Sequence, residues 1–234
     1  MKKNLNRRDF LKSTAIASSF FILPRHVLGK GFLAPSDKIN MGFIGCGKQT
    51  RGLQQRFYNT GQVNITAAAD PHGKKLANFS KNLLKLQSKS KVDSSFKAYE
   101  DYRRVIEDKS IDSVVVATPD HWHAAITVKA AEAGKDIYCE KPLALTVKEG
   151  RAMVKAVRQN DRVLQTGSMQ RSWPEFLRTA ELIRNGYLGD IKEIFVNVGN
   201  PPRDVDFEAQ PLPDHVNWDL WLGPNVEQTP YNEL

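Results

Sequence analysis

The sequence predicts an α/β chain: a doubly wound parallel sheet, followed by the start of an incomplete α+β domain with an antiparallel sheet. Three observations predict it. Short apolar runs recur at Ile39–Ile44, Val63–Ala69, Ser113–Thr118 and Asp136–Glu140, as strands buried on both faces do. Stretches with helical spacing separate them, and parallel strands need such crossovers. Beyond about residue 167 the style changes, and Ile191–Val198 alternates apolar with polar residues, the pattern of a half-exposed strand.

Taken in order, Ile39–Ile44 runs into Gly45-Cys46-Gly47, and Gln49–Asn59 reads as a helix with Leu53 and Phe57 four apart. Val63–Ala69 is the second strand and stops at Asp70-Pro71. Lys74–Leu86 places Leu76, Phe79, Leu83 and Leu86 on one face, with lysines on the other. Phe96–Asp108 suits a short strand and helix. Ser113–Thr118, a polar turn, an Ala-rich helix and Asp136–Glu140 form a βαβ unit. Val147–Gln159 follows as a helix, Val163–Thr166 as a strand, and Pro174–Asn185 as a helix stopped by Gly186. The expected divisions are 1–36 (leader and linker), 37–168 (the doubly wound domain) and 169–234 (the incomplete second domain).

The chain has 234 residues and a formal net charge of +8. Residues 1–30 hold seven of the 34 Lys/Arg and one of the 26 Asp/Glu, leaving 27 against 25. The basic character belongs to the leader, so nucleic acid is not an expected partner. Asn6-Arg7-Arg8-Asp9-Phe10-Leu11-Lys12 precedes a modest apolar run from Ala15 to Leu23. A twin arginine ahead of such a run resembles a twin-arginine export signal, so the expected location is periplasmic or otherwise exported. The run is too short to span a bilayer, which takes ~20 residues. Cys46 and Cys139 end different strands and are read as small buried residues rather than a disulfide.

Three constellations carry chemistry, and all fall at the carboxyl ends of strands, where open α/β sheets bind ligands. In the first, Gly45-x-Gly47 lies between a strand and a helix, where the backbone can approach a pyrophosphate. Thr50 stands where the third glycine of that fingerprint belongs. Asp70 ends the next strand, near the ~20-residue offset of a carboxylate that binds the adenosine ribose. A carboxylate there repels a 2′-phosphate, which favours NAD over NADP. Gly42, Gly47 and Lys48 also approximate a Walker phosphate loop, but Gln49 replaces its hydroxyl residue and Phe43-Ile44 suits a strand better.

The second constellation is Thr118-Pro119-Asp120-His121-Trp122-His123, read as a turn lining the nicotinamide end of the groove, with Asp120 as a candidate helix cap. His-x-His is a poor metal set so close to a helix start, and no metal is expected. The third is Glu140-Lys141-Pro142. A lysine at this edge can hydrogen-bond a substrate hydroxyl and favour its alkoxide as hydride leaves; Lys141 is the expected catalytic residue.

Together these pieces resemble the Gfo/Idh/MocA oxidoreductases, through Ile44-Gly-Cys-Gly47, Ala117-Thr-Pro-Asp-His-Trp-His-Ala124 and Glu140-Lys-Pro142. Gln165-Thr-Gly-Ser-Met-Gln-Arg171 and Asn217-Trp-Asp-Leu-Trp-Leu-Gly-Pro224 are similar to features of exported, sugar-associated members. The resemblance implies a Rossmann domain whose NAD meets Gly45, Cys46, Gly47, Lys48, Gln49 and Asp70. It implies further cofactor contacts from Thr118, Pro119, Asp120, His121, His123, Glu140 and Lys141. Lys141, Gln170, Arg171 and Trp218 would lie at a carbohydrate or cyclitol substrate.

Family members continue into an open antiparallel sheet that carries the substrate and pairs subunits as homo-oligomers, with a histidine as acid–base partner of the lysine. Here the chain stops at Leu234 without a later Gly-x-His motif, and so looks C-terminally truncated. The expectations are therefore an NAD-dependent oxidoreductase for a secondary hydroxyl, including redox-cycling glycosidase chemistry, or else a non-catalytic NAD-binding fragment.

Overall fold

The computed structural model describes residues 33–88, 96–200, 206–225, 227 and 229–233. Residues 1–32 of the expected export leader lie outside the described residues. The chain clusters into two units, residues 1–39 and 40–234, and the second builds nearly all of the sheet.

Six strands form that sheet: β1 (Ile39–Ile44), β2 (Val63–Ala69), β3 (Lys97–Tyr99), β4 (Ser113–Val116), β5 (Asp136–Cys139) and β6 (Leu164–Thr166). Their order is β3-β2-β1-β4-β5-β6. The β1–β4, β2–β3, β4–β5 and β5–β6 ladders are all parallel. The connecting helices are α1 (Lys48–Asn59), α2 (Gly73–Gln87), the short α3 (Arg103–Glu107), α4 (Asp120–Glu132) and α5 (Val147–Gln159). Each expected strand and helix of residues 39–166 is present to within two residues at its ends, the Phe96–Asp108 element resolving into β3 and α3.

The apolar runs have a direct cause. Successive strand residues face opposite sides, and both sides are covered. Ile44, Val114 and Val116 join Val105, Ile126 and Met153 in one core. Phe43, Ile65 and Val115 join Leu53, Phe79 and Leu83 in the other. Burying Phe43-Ile44 in β1 also removes the Walker alternative, whose loop would have to contain them.

Register aligns the functional edge. Ile44 pairs with Val116 and Val116 with Cys139, so Gly45, Ala117 and Glu140 leave the sheet side by side. α5 is anchored at that edge by a capping box between Thr146 and Glu149.

Downstream lie α6 (Pro174–Arg184) and α7 (Trp218–Leu222). α6 ends before Gly186, whose φ is +77°, as expected of a C-terminal glycine. Among the described residues, the expected strand at Ile191–Val198 is absent and no antiparallel domain is formed. These residues are exposed coil, because alternation supplies a face but no second strand among the described residues offers a ladder. Among the described residues, the one antiparallel pairing is an isolated bridge between His72 and Val216.

Candidate cofactor site and active-site edge

β1 lies between β2 and β4, where the strand order reverses and α/β sheets open a crevice. Gly45 begins it. Its φ is +89°, a conformation glycine adopts without strain. A Cβ there would lie 2.5 Å from the Ala117 carbonyl oxygen, so the residue is required twice over. Thr50 explains the missing third glycine: its hydroxyl donates to the Gly45 carbonyl at 2.8 Å and pins the turn from below. Gly47 caps α1 without a side-chain bond, and nothing lies within 4 Å of the place its Cβ would take. The first turn of α1 carries no acidic residue and begins with Lys48. Free amides, a lysine and an open approach suit a bound phosphate.

Asp70 sits 7 % exposed at the end of β2. One carboxylate oxygen accepts the Cys46 N–H at 2.6 Å and the other the His72 N–H at 2.8 Å. Each oxygen keeps a lone pair for a further donor, and the residue lines a cleft of ≈ 220 Å³. Gly45, Gly47, Lys48, Gln49, Thr118 and Pro119 border the same cleft. The Thr118 hydroxyl is buried with no partner, in a residue that lines the same cleft. The residues present fit a dinucleotide.

The His-x-His turn divides its labour. Pro119, not Asp120, caps α4; Asp120 is the exposed first helical residue and makes no side-chain cap. His121 Nε2 lies 2.9 Å from the Trp221 carbonyl, which can only accept. His123 is 1 % exposed, its Nδ1 2.7 Å from the Pro142 carbonyl and its Nε2 2.9 Å from that of Thr118. His123 thus ties the β4 turn to the segment after β5 from inside. The two rings serve different partners, and no cluster of metal-ligating side chains occurs among the described residues.

Glu140 is also internal, 4 % exposed. Its carboxylate accepts from Gln49 Nε2 at 3.1 Å, Tyr138 Oη at 3.2 Å and the Lys141 N–H at 3.2 Å. Burial, with the Glu140 carboxylate adding to it, pushes the Tyr138 phenol up to about 12, so it stays a donor. Any side chain at Gly167 would run into Glu140. The buried carboxylate therefore locks α1, β5 and the loop after β6 together. Lys141, in contrast, is exposed at the edge, joined to Pro142 by a cis peptide. Burial pushes both thiols up, Cys46 with help from Asp70 and Cys139 to about 11. Both are unpaired, and neither is a nucleophile at neutral pH.

The expected substrate residues disperse. Gln170 and Arg171 are exposed on a 3₁₀ turn (Met169–Ser172) just past β6. Trp218 stacks on Trp221 at 4.4 Å and donates its indole N–H to the Thr229 carbonyl. Trp221 and Leu220 line the cleft, and so do Glu100, Tyr102 and Trp122. Sequence reasoning gave Glu100, Tyr102, Leu220 and Trp221 no individual role, and it named Trp122 only as part of the turn lining the groove. The signal available was the pair of Trp-rich segments, whose mutual contact no periodicity reveals.

A family model described as an oxidoreductase family with an NAD-binding Rossmann fold matches residues 39–168. The chain belongs to the Gfo/Idh/MocA oxidoreductase family. It is 26 % identical over 205 residues to a glycosyl hydrolase family 109 protein of Shewanella baltica, covering 80 % of this chain and 44 % of that one. It is 43 % identical over 91 residues to a levoglucosan dehydrogenase of Pseudarthrobacter phenanthrenivorans, covering 39 % of this chain and 23 % of that protein. A solved levoglucosan dehydrogenase in complex with NADH superposes with a TM-score of 0.56 at 28 % identity, covering 65 % of this chain and 40 % of the other. The chain thus spans less than half the length of these relatives. Gly45–Gln49, Asp70, Thr118–His123 and Glu140–Lys141 all fall within the matched region; Gln170, Arg171 and Trp218 fall outside it.

Proposed function

We propose that this chain is the NAD-binding part of an exported oxidoreductase that removes hydride from a secondary hydroxyl of a sugar, cyclitol or glycoside. The observation that carries the cofactor choice is Asp70, buried at the end of β2 with both oxygens pinned by backbone amides. A carboxylate fixed at that place accepts from ribose hydroxyls and repels a 2′-phosphate. The amides of α1 behind Gly47 and the ammonium of Lys48 would hold the pyrophosphate. Thr118 and Pro119 line its path onward.

When bound, the nicotinamide supplies a hydride acceptor. Lys141 hydrogen-bonds the substrate hydroxyl and takes its proton as the carbon–hydrogen bond gives up its electron pair. Glu140 and His123 do not reach substrate. They fix the segment from which Lys141 extends, so they act as positioning residues. The substrate class rests on kinship with sugar-acting relatives, and Gln170 and Arg171 are the proposed substrate contacts beyond the sheet.

Mass spectrometry of nucleotide released by denaturing the purified chain tests the cofactor: NAD is expected. Asp70→Ser should weaken NAD binding more than NADP binding, and equal loss of both would overturn the ribose role. Lys141→Ala should keep NAD binding and lower NADH formation from a responsive sugar by about 10²- to 10⁴-fold. NADH appearing in step with product identifies a dehydrogenase, whereas product without NADH identifies redox-cycling glycoside cleavage. Retained NAD with no turnover on a broad sugar panel would favour a non-catalytic cofactor module. Export is tested by a reporter fused to residues 1–36: changing Arg7 and Arg8 to lysine should abolish its translocation.

A further inference from the structure

The segment Asp214–Gly223 follows the last strand by almost fifty residues, yet it crosses back over the carboxyl edge of the sheet. Its attachment is made by the main chain at both ends. Near β2, the Gly73 N–H donates to the His215 carbonyl at 2.8 Å and the Asn217 N–H to the Pro71 carbonyl at 2.9 Å. The Asn217 side-chain amide bonds Glu100, and its carbonyl oxygen caps α7 by accepting the Leu220 N–H at 3.0 Å. Near β4, Trp122 Nε1 donates to the carbonyls of Leu220 and Trp221 at 3.1 and 3.0 Å. His121 Nε2 reaches the same Trp221 carbonyl. Gly223 then turns the chain with a φ of +51°, its α-carbon so close to the Trp122 ring that no side chain fits.

This strap spans the crevice from the end of β2, beside Asp70, to the turn after β4. Leu220 and Trp221 face Asp70, Glu100 and Tyr102 across the cleft. Trp221 is braced from behind by the Trp218 ring, 4.4 Å away and nearly parallel. Leu220 and Trp221 are thus the strap's share of the wall of that cleft, so a movement of the strap changes the opening through which a nucleoside would pass.

We infer that Asp214–Gly223 is a clasp for the bound dinucleotide: it walls the adenosine end, and its docking on Pro71, Gly73 and Trp122 sets the rate of cofactor release. The clasp rests on the reading of the cleft as an NAD site, and it adds a retention device to that reading. A retained cofactor suits a protein that exchanges it slowly between turnovers. Linkage then requires that the cofactor also hold the strap down.

The test uses the whole chain loaded with NADH. Release is followed by displacement with excess NAD in a stopped-flow instrument, and amide exchange is followed at Gly73 and Asn217. Gly223→Ala should raise the release rate by about tenfold, because affinity changes at a built site appear mainly in dissociation. Asn217→Ala, which uncaps α7 without lining the cleft, should raise it by about threefold, with association unchanged or faster. NADH should slow exchange at Gly73 and Asn217. If Gly223→Ala fails to fold, Asn217→Ala and the exchange of the wild-type amides still decide. A wild-type chain that binds NADH, with release indifferent to these substitutions or amides indifferent to NADH, would overturn the clasp and leave the cofactor reading standing. A wild-type chain that binds neither NADH nor NAD would overturn both.

Discussion

α5 and α6 are helices of similar length and amphipathic pattern, and their fates differ. α5 buries Met153, Ala156 and Val157 and is held by a capping box. α6 buries no residue, and its N-cap position, Trp173, makes no side-chain bond. Past α6, Tyr187, Leu188, Ile194, Phe195, Val196 and Val198 are all exposed. The pattern of a helix states which face wants a partner, whereas the partner supplies most of the stability. α5 receives its partners from the parallel sheet and α4. Among the described residues, the main partner of α6 is the 3₁₀ turn that precedes it.

The sharpest test of that contrast is a matched pair of truncations. Met153→Ala, at a fully buried site, should cost about 2–5 kcal/mol in urea unfolding. Leu177→Ala, on half-exposed α6, should stay within about 0.5 kcal/mol; equal losses would mean that α6 is packed after all. Next in size, Gly45→Ala forces a left-handed backbone at about 1–3 kcal/mol and drives a Cβ against Ala117. Thermal unfolding should fall and its rise with added NAD should vanish. Removing the cap of α5 by Thr146→Ala should cost about 1 kcal/mol, again by urea unfolding.

The smallest effect is one of pH, at the joint between the strap and the sheet. His72 and His215 lie with ring centroids 5.0 Å apart. Burial holds the His72 pKa below its usual 6.5, helped by Lys75 and His215 and opposed by Asp70. Its folded-state pKa is thus below its unfolded one, and between the two the unfolded chain binds more protons. Stability should therefore fall as pH drops from about 6.5 toward the lower value, and level off beneath it. His72→Gln should flatten that limb in a series of unfolding curves across pH 5–7, whereas an unchanged slope would place the titration elsewhere.

How far the sequence could be read follows from where the information lies. Residues 39–166 were legible because each crossover is local: an apolar run, a turn residue and a periodic helix announce themselves within some thirty residues. The pairing of Gly45-x-Gly47 with Asp70 was legible for the same reason, since a single βαβ unit links them. Ile191–Val198 alternates as a strand does, yet among the described residues no partner strand pairs with it. Asp120 was a candidate cap by residue type, yet the proline before it took the position. The roles of Glu140 and His123 as internal ties, and of Trp122, Leu220 and Trp221 as cleft walls, depend on neighbours up to a hundred residues away.

The sequence by itself determined the parallel sheet, its two apolar cores and the edge where Gly45, Thr118 and Lys141 emerge, because periodicity and turn chemistry are properties of short segments. Only the tertiary structure decided which polar side chains face the cleft and which are consumed inside, and that the strap returns to cover it. Those outcomes turn on hydrogen bonds and ring contacts between distant segments, and on whether a given face finds anything to bury against.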